Sequence, residues 1–173
     1  MISNYDLLIS ENKIFSQNGE DGVIAHILDE LNIKEGFFVE IGVQNGVECN
    51  TRTLLDNGWK GIMIDNNDKY ISPVLHKTDG SYLNIQRKHI TAENALAVLR
   101  MECWGVPTDL DLLSLDIDGD DYHVLKTILY GTSGDWPVLT PKIIICEYNS
   151  QLGPIDSLTI KYEPYFKWTG NFY

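Results

Sequence analysis

Basic residues are scarce in this 173-residue chain, which has 13 Lys and Arg against 25 Asp and Glu and a formal net charge of -12. Such a charge opposes binding to the phosphate backbone of nucleic acids and to anionic membrane surfaces, so we expect neither as a partner. Long apolar runs are also missing. No segment reaches the ~20 apolar residues of a membrane span, and no basic and apolar stretch opens the chain. These absences predict a soluble, cytoplasmic protein.

Cysteine is equally sparse. The three cysteines, Cys49, Cys103 and Cys146, are odd in number and show no C-x-x-C spacing. Neither a disulfide framework nor a cysteine-based zinc site is indicated, because both need paired or clustered cysteines. We expect reduced, partly buried thiols.

The length and the 43% hydrophobic content fit one globular domain over residues 1–173. We expect an N-terminal helical segment over 1–35, an α/β core over 36–149 and an aromatic tail over 150–173 without a clear period. The aromatic ending of that tail suggests a truncated domain. The pattern leaves association into a homo-oligomer open.

Short apolar runs alternate with amphipathic segments along the core. The patterns predict five strands and at least four helices. The strands are expected at 37–41, 61–65, 83–90, 112–117 and 142–147, and the helices at 18–31, around Leu54 and Leu55, at 92–103 with Thr91 as N-cap, and at 121–129. The isoleucine run at 143–145 predicts burial on both faces. This alternation favours a mostly parallel sheet with helices on both faces and ligands at the carboxyl ends of the strands.

A glycine-bearing loop, Glu40-x-Gly42-x-x-x-Gly46, follows the first predicted strand and precedes a predicted helix. Nucleotide-binding loops occur in this context, because glycine lets the backbone approach a ligand closely. Asp65 ends the second predicted strand, where a carboxylate can accept hydrogen bonds from ribose hydroxyls. Gln44 stands where the G-x-G-x-x-G pattern requires glycine, which argues against NAD.

The segment 38–46, FVEIGVQNG, resembles motif I of class I S-adenosylmethionine-dependent methyltransferases, most closely those of the FkbM-like branch. The segments 16–22, SQNGEDG, and 115–121, LDIDGDD, extend the similarity over most of the chain. The resemblance implies a Rossmann-like three-layer α/β fold. The class I sheet normally has seven strands, so we expect the sixth and seventh to be missing here.

The resemblance also implies S-adenosylmethionine as the cofactor. The residues that it places around the cofactor are Gln17, Asp21, Glu40, Gly42, Asn45, Gly46, Asp65, Asn66 and Asp116. Among them, Gln17 and Asp21 are expected to close over the pocket, and Asp116 to lie near the methionine end. The adenine contact stays open.

Carboxylates follow two strands that are expected to be neighbours, and such strand ends meet at one edge of the sheet. The candidate ligands of a divalent metal, Mg²⁺ or Mn²⁺, are Asp116, Asp118, Glu147 and Asn149. Helix capping explains the run of aspartates from Asp118 to Asp121 equally well. The spacing does not fit an EF-hand loop.

Together these features predict an S-adenosylmethionine-dependent methyltransferase that methylates a hydroxyl of a small acceptor such as a sugar. Asp116 and His123 are the candidate catalytic residues, and Tyr148 is a candidate for lining the substrate site. The alternative is a non-catalytic ligand-binding or assembly domain with the same fold. A nucleotide-sugar or NAD enzyme is disfavoured by the missing third glycine.

Overall fold

The computed structural model describes residues 3–67, 83–103, 105–131, 136–148 and 157–165. Its strands are β1 (Phe37–Ile41), β2 (Lys60–Asp65), β3 (Leu83–Arg87), β4 (Leu112–Leu115) and β5 (Ile143–Cys146). They form one sheet in the order β3-β2-β1-β4-β5, in which every neighbouring pair is parallel. The strand order reverses between β1 and β4, so the predicted Rossmann-like α/β fold is confirmed.

Helices cover both faces of this sheet. They are α1 (Asn4–Ile9), α2 (Glu20–Glu30), α3 (Arg52–Asp56), α4 (Ala95–Ala97), which continues as a π-helical turn over Val98–Glu102, and α5 (Asp121–Tyr130). Successive side chains of a strand point to opposite faces, and β1 shows the consequence. Val39 packs in one buried cluster with residues of α4 and α5, whereas Phe38 packs in another with residues of α2 and α3. The sheet is thus the middle of three layers.

Helix α1 was not predicted from the sequence. A capping box holds it, in which Asp6 N–H donates to Ser3 Oγ at 3.1 Å and Ser3 N–H donates to Asp6 Oδ2 at 2.9 Å. The Ser-x-x-Asp spacing was the available signal. None of the helices in the described ranges is long and apolar enough to cross a bilayer.

The structure corrects two details of the predicted elements. The helix expected at 92–103 begins at Ala95, because Thr91 instead caps a turn whose Asn94 N–H donates to Thr91 Oγ1 at 3.3 Å. The expectation that the isoleucine run is buried on both faces is wrong, since Ile144 is 42% exposed. Within the described residues, β5 pairs only with β4, so it is an edge strand.

Candidate functional site

A cleft of about 570 Å³ opens at the carboxyl ends of the strands. Its size falls within the range of small-molecule sites. The predicted cofactor residues that line it are Gln17, Gly42, Asp65, Asn66 and Asp116. The parallel sheet brings these residues together from β1, β2 and β4 and from the loop before α2.

The loop after β1 passes very close to the end of β4. Gly42 has a φ of +93°, and a Cβ added there would lie 1.5 Å from the carbonyl oxygen of Asp116. The Gly42 N–H donates to the carbonyl of Ile64 at 2.8 Å, which ties the same point to β2. Glycine is therefore required here by the approach of two backbones and by the left-handed conformation, independently of any ligand.

The carboxylate of Asp65 is held in a fixed orientation beside this loop. It accepts from Gln44 N–H at 2.7 Å and from Asn67 N–H at 2.8 Å, one bond to each oxygen. Each carboxylate oxygen has a further lone pair, and Asp65 lines the cleft. The geometry therefore offers two oriented acceptors to a ligand that carries adjacent hydroxyl groups.

Glu40 lies beneath the loop, and the cleft lining does not include it. It is 4% exposed and accepts from Asn50 N–H at 2.8 Å, Thr51 N–H at 3.0 Å and Thr51 Oγ1 at 2.5 Å. Burial raises the pKa of Glu40, although these donors act against that shift. Its contacts attach the chain before α3 to the central strand. The other two loop residues, Asn45 and Gly46, are also outside the lining of the cleft.

Asp21 organises the loop that carries Gln17. Its Oδ2 accepts from the backbone N–H groups of Ile14, Phe15 and Ser16 at 2.7 to 2.9 Å. Its Oδ1 accepts from the hydroxyl of Thr53 at 3.0 Å. Asp21 is 3% exposed and does not line the cleft, whereas Gln17 does. Of the two residues expected to close over the pocket, one therefore faces the cleft and the other supports it from behind.

Three carboxylates converge where β4, β5 and α5 meet. Asp116, Asp121 and Glu147 each present an oxygen, and these atoms lie within 4.8 Å of one another. Asp121 thus stands in the place that the sequence analysis gave to Asp118, because Asp121 turns back to accept from the N–H groups of Ile117 and Gly119. Asp118 still lines the cleft. The fourth predicted ligand, Asn149, lies outside the described residues.

The crowding of these acids changes their protonation. Burial, followed by repulsion from Asp118 and Asp121, raises the pKa of Asp116. Burial and repulsion from Asp116 and the neighbouring aspartates raise the pKa of Glu147 to about 7. Close carboxylates of this kind share protons or bind a cation. Their oxygen ligands suit Mg²⁺, Mn²⁺ or Ca²⁺.

His123 lies apart from the cleft lining. Its Nε2 donates to the carbonyl of Ile160 at 2.9 Å, and its ring contacts Tyr162 with the centroids 5.1 Å apart. His123 therefore anchors the aromatic tail to α5. Tyr148, predicted to line the substrate site, is 59% exposed and also stands outside the cleft lining.

His89 and Pro164 are among the residues of the cleft wall that the sequence analysis did not assign to the site. His89 follows β3 at the carboxyl end of the sheet, and that position was the available signal. Its Nε2 donates to the carbonyl of Pro164, and its ring stacks on Tyr165 with the centroids 5.4 Å apart. Neither a model of a known protein family nor a curated protein matches this sequence.

Proposed function

We propose that this chain binds S-adenosylmethionine in the cleft and transfers the methyl group to a hydroxyl of a small acceptor such as a sugar. The observation that carries the proposal is the oriented carboxylate of Asp65 beside the Gly42 loop, in one cleft with Asp116. A carboxylate at the end of the second strand suits the ribose hydroxyls of an adenosyl group. The resemblance of the sequence to methyltransferases is the reason for proposing S-adenosylmethionine as the adenosyl cofactor.

The charge of the cleft favours a cationic cofactor and an uncharged acceptor. Its acidic lining residues are Asp65, Asp116, Asp118, Asp120 and Glu147. Lys88, the lysine of the lining, forms an ion pair with Glu102. This field attracts a sulfonium and repels phosphorylated acceptors.

When the acidic cluster holds no cation, Glu147, which lines the cleft, is the group that would take the proton of the acceptor hydroxyl. Its pKa is raised to about 7, so near neutral pH it exchanges a proton more readily than an ordinary carboxylate. Catalysis would otherwise come from holding the acceptor oxygen, the methyl group and the sulfur in line. This assignment replaces His123 as the candidate base.

Asp116, Asp121 and Glu147 would hold a divalent cation, since their oxygens already converge. Bound there, the cation would lower the pKa of a coordinated hydroxyl, and Glu147 would then serve as a ligand instead of as the base. In a thermal melt of the full chain, Mg²⁺ or Mn²⁺ at a hundredfold excess over its dissociation constant should raise the unfolding temperature by about 5 to 10 °C. The shift should disappear in Asp116→Asn and persist in Asp29→Asn, which changes an exposed carboxyl on α2.

Calorimetric titration with S-adenosylhomocysteine tests the cofactor. We expect one binding site, with an affinity at least about tenfold lower in Asp65→Asn, because the substitution removes one of two oriented acceptors. Asp29→Asn again serves as the control. A folded sample that gives no heat at high ligand concentration would contradict the proposal. Binding without methyl transfer to hydroxylated acceptors would favour a ligand-binding domain instead.

A further inference from the structure

The tail segment 157–165, here called the strap, crosses one side of the cleft. Hydrogen bonds attach it on one side to the start of α5 and the loop before it, and on the other side to the loop that follows β3. Near α5, Ile160 accepts from His123 and the Glu163 N–H donates to Asp120 Oδ1 at 3.1 Å. Beyond β3, Pro164 accepts from His89. The strap therefore spans the gap between the loop after β4 and the loop after β3.

Polar contacts hold the strap. The hydroxyl of Tyr162 donates to Glu93 and accepts from Ala92 N–H at 3.1 Å. Its large apolar side chains contribute less, because Leu158 is 63% exposed and Tyr165 is 80% exposed. A segment with little buried apolar surface opens locally at a lower free energy than the core does.

His89 connects the strap to the turn that orients Asp65. Its Nε2 contacts the carbonyl of Pro164, and its Nδ1 lies 3.5 Å from the side-chain amide nitrogen of Asn66. Asn66 directly follows Asp65, and both line the cleft. A ligand that contacts Asp65 or Asn66 would therefore lie next to His89, whose hydrogen bond to Pro164 holds the strap.

We propose that the strap is a gate: it detaches as a unit to admit a ligand to the cleft and closes again over the bound ligand, with His89 as its latch. Opening breaks the hydrogen bonds at His89, Tyr162, Asp120 and His123 while the sheet stays folded. The gate itself does not depend on which ligand the cleft binds.

Hydrogen exchange of the full chain, resolved by peptide with mass spectrometry, measures the opening. We expect the strap amides, including that of Glu163, to exchange faster than those of β1 and β4 and about fivefold faster still in Tyr162→Phe, which removes two hydrogen bonds. Tyr148→Phe, an exposed tyrosine outside the strap, should leave the exchange unchanged. Exchange of the strap at the rate of β1, or no effect of Tyr162→Phe, would overturn the gate.

Access to the cleft can be measured without a ligand. In Ile117→Cys the new thiol lies in the cleft lining, and in Lys34→Cys it lies in an exposed position before β1. Maleimide labelling at position 117 should become about fivefold faster when Tyr162→Phe is added, whereas labelling at position 34 should not change. Equal labelling at position 117 with and without Tyr162→Phe would show that the strap does not limit access.

S-adenosylhomocysteine separates this proposal from the proposed function. If it binds in the calorimeter, exchange of the strap should slow at saturation, and binding without any slowing would overturn the gate. If it does not bind, the cofactor assignment fails, and the exchange and labelling experiments still decide the gate.

Discussion

Removal of the Asp21 carboxylate should destabilise the whole fold. Asp21→Ala leaves the N–H groups of Ile14, Phe15 and Ser16 without their acceptor. Ile14 is 54% exposed and water can replace its bond, whereas Ser16 is fully buried and Phe15 is half-buried. An unsatisfied buried donor costs about 1 to 3 kcal/mol, so two such donors predict a loss of about 2 to 6 kcal/mol.

Urea denaturation at pH 7, followed by circular dichroism, measures this loss as a lower midpoint. Asp29→Ala, an exposed carboxylate on the same helix, should shift the free energy of unfolding by less than about 0.5 kcal/mol. Equal midpoints for the two variants would refute the assignment of Asp21 as the organiser of this loop. The assignment would also be refuted if Asp21→Ala increased the mobility of Gln17 but left the free energy of unfolding unchanged.

The pH dependence of this effect has a definite sign. Burial acts to raise the pKa of Asp21, but the hydrogen bonds from Ser16, Ile14 and Phe15 outweigh it, and the pKa is lowered. The folded state then binds fewer protons than the unfolded state, so the stabilisation is present above the unfolded pKa of ~3.9. It is lost as the pH falls through the lower folded pKa. The difference between the wild-type chain and Asp21→Asn should therefore shrink below about pH 4.

Further substitutions probe the cleft. Gly42→Ala should lower the free energy of unfolding by about 3 kcal/mol in a urea titration, because strain from the positive φ adds to the overlap of the new methyl group with the Asp116 carbonyl. Gly58 also has a positive φ, of +85°, but open space around it, so Gly58→Ala should lower the free energy of unfolding by only about 1 kcal/mol. Glu147→Gln should stabilise the chain by roughly 1 kcal/mol at pH 8, after allowance for solvent screening, and by almost nothing at pH 5. The reason is that the raised pKa of Glu147 reflects a free-energy cost of its ionised form in the folded state, and this form is scarce at pH 5. Thermal melts at both pH values measure the effect, and equal effects would contradict it. Lys142→Met should change the stability by less than about 1 kcal/mol in 0.15 M salt, because the Lys142 side chain is 52% exposed and the largely buried Asp111 keeps the N–H of Phe37 as a donor; a larger loss in a urea titration would contradict this.

The sheet could be predicted from the sequence because its strands are short apolar runs with clear borders. The run at Phe37–Ile41 was located to the residue, and the others to within a few residues. The exposure of Ile144 could not be predicted, since an isoleucine run reads the same in an edge strand and in a central strand.

The sequence could predict those site residues that directly follow the parallel strands, because these strand ends meet at one edge of the sheet. Gly42, Asp65 and Asp116 share a cleft because β1, β2 and β4 all end at the same edge. The choice between Asp118 and Asp121 depends on a local turn in which Asp118 has a φ of +59°, and composition does not reveal such a turn. The contact of His89 with the strap joins positions 75 residues apart, beyond the reach of any local pattern.

The contact of Gly42 with the Asp116 carbonyl makes the two halves of the cleft a single mechanical unit. With no side chain between the two backbones, an outward shift of the end of β4 removes the support of the glycine loop, and an inward shift presses directly on it. A displacement of the Asp116 backbone would therefore reach the loop beside Asp65 without any intervening side chain. We therefore expect a substitution that moves the end of β4 to move the glycine loop as well.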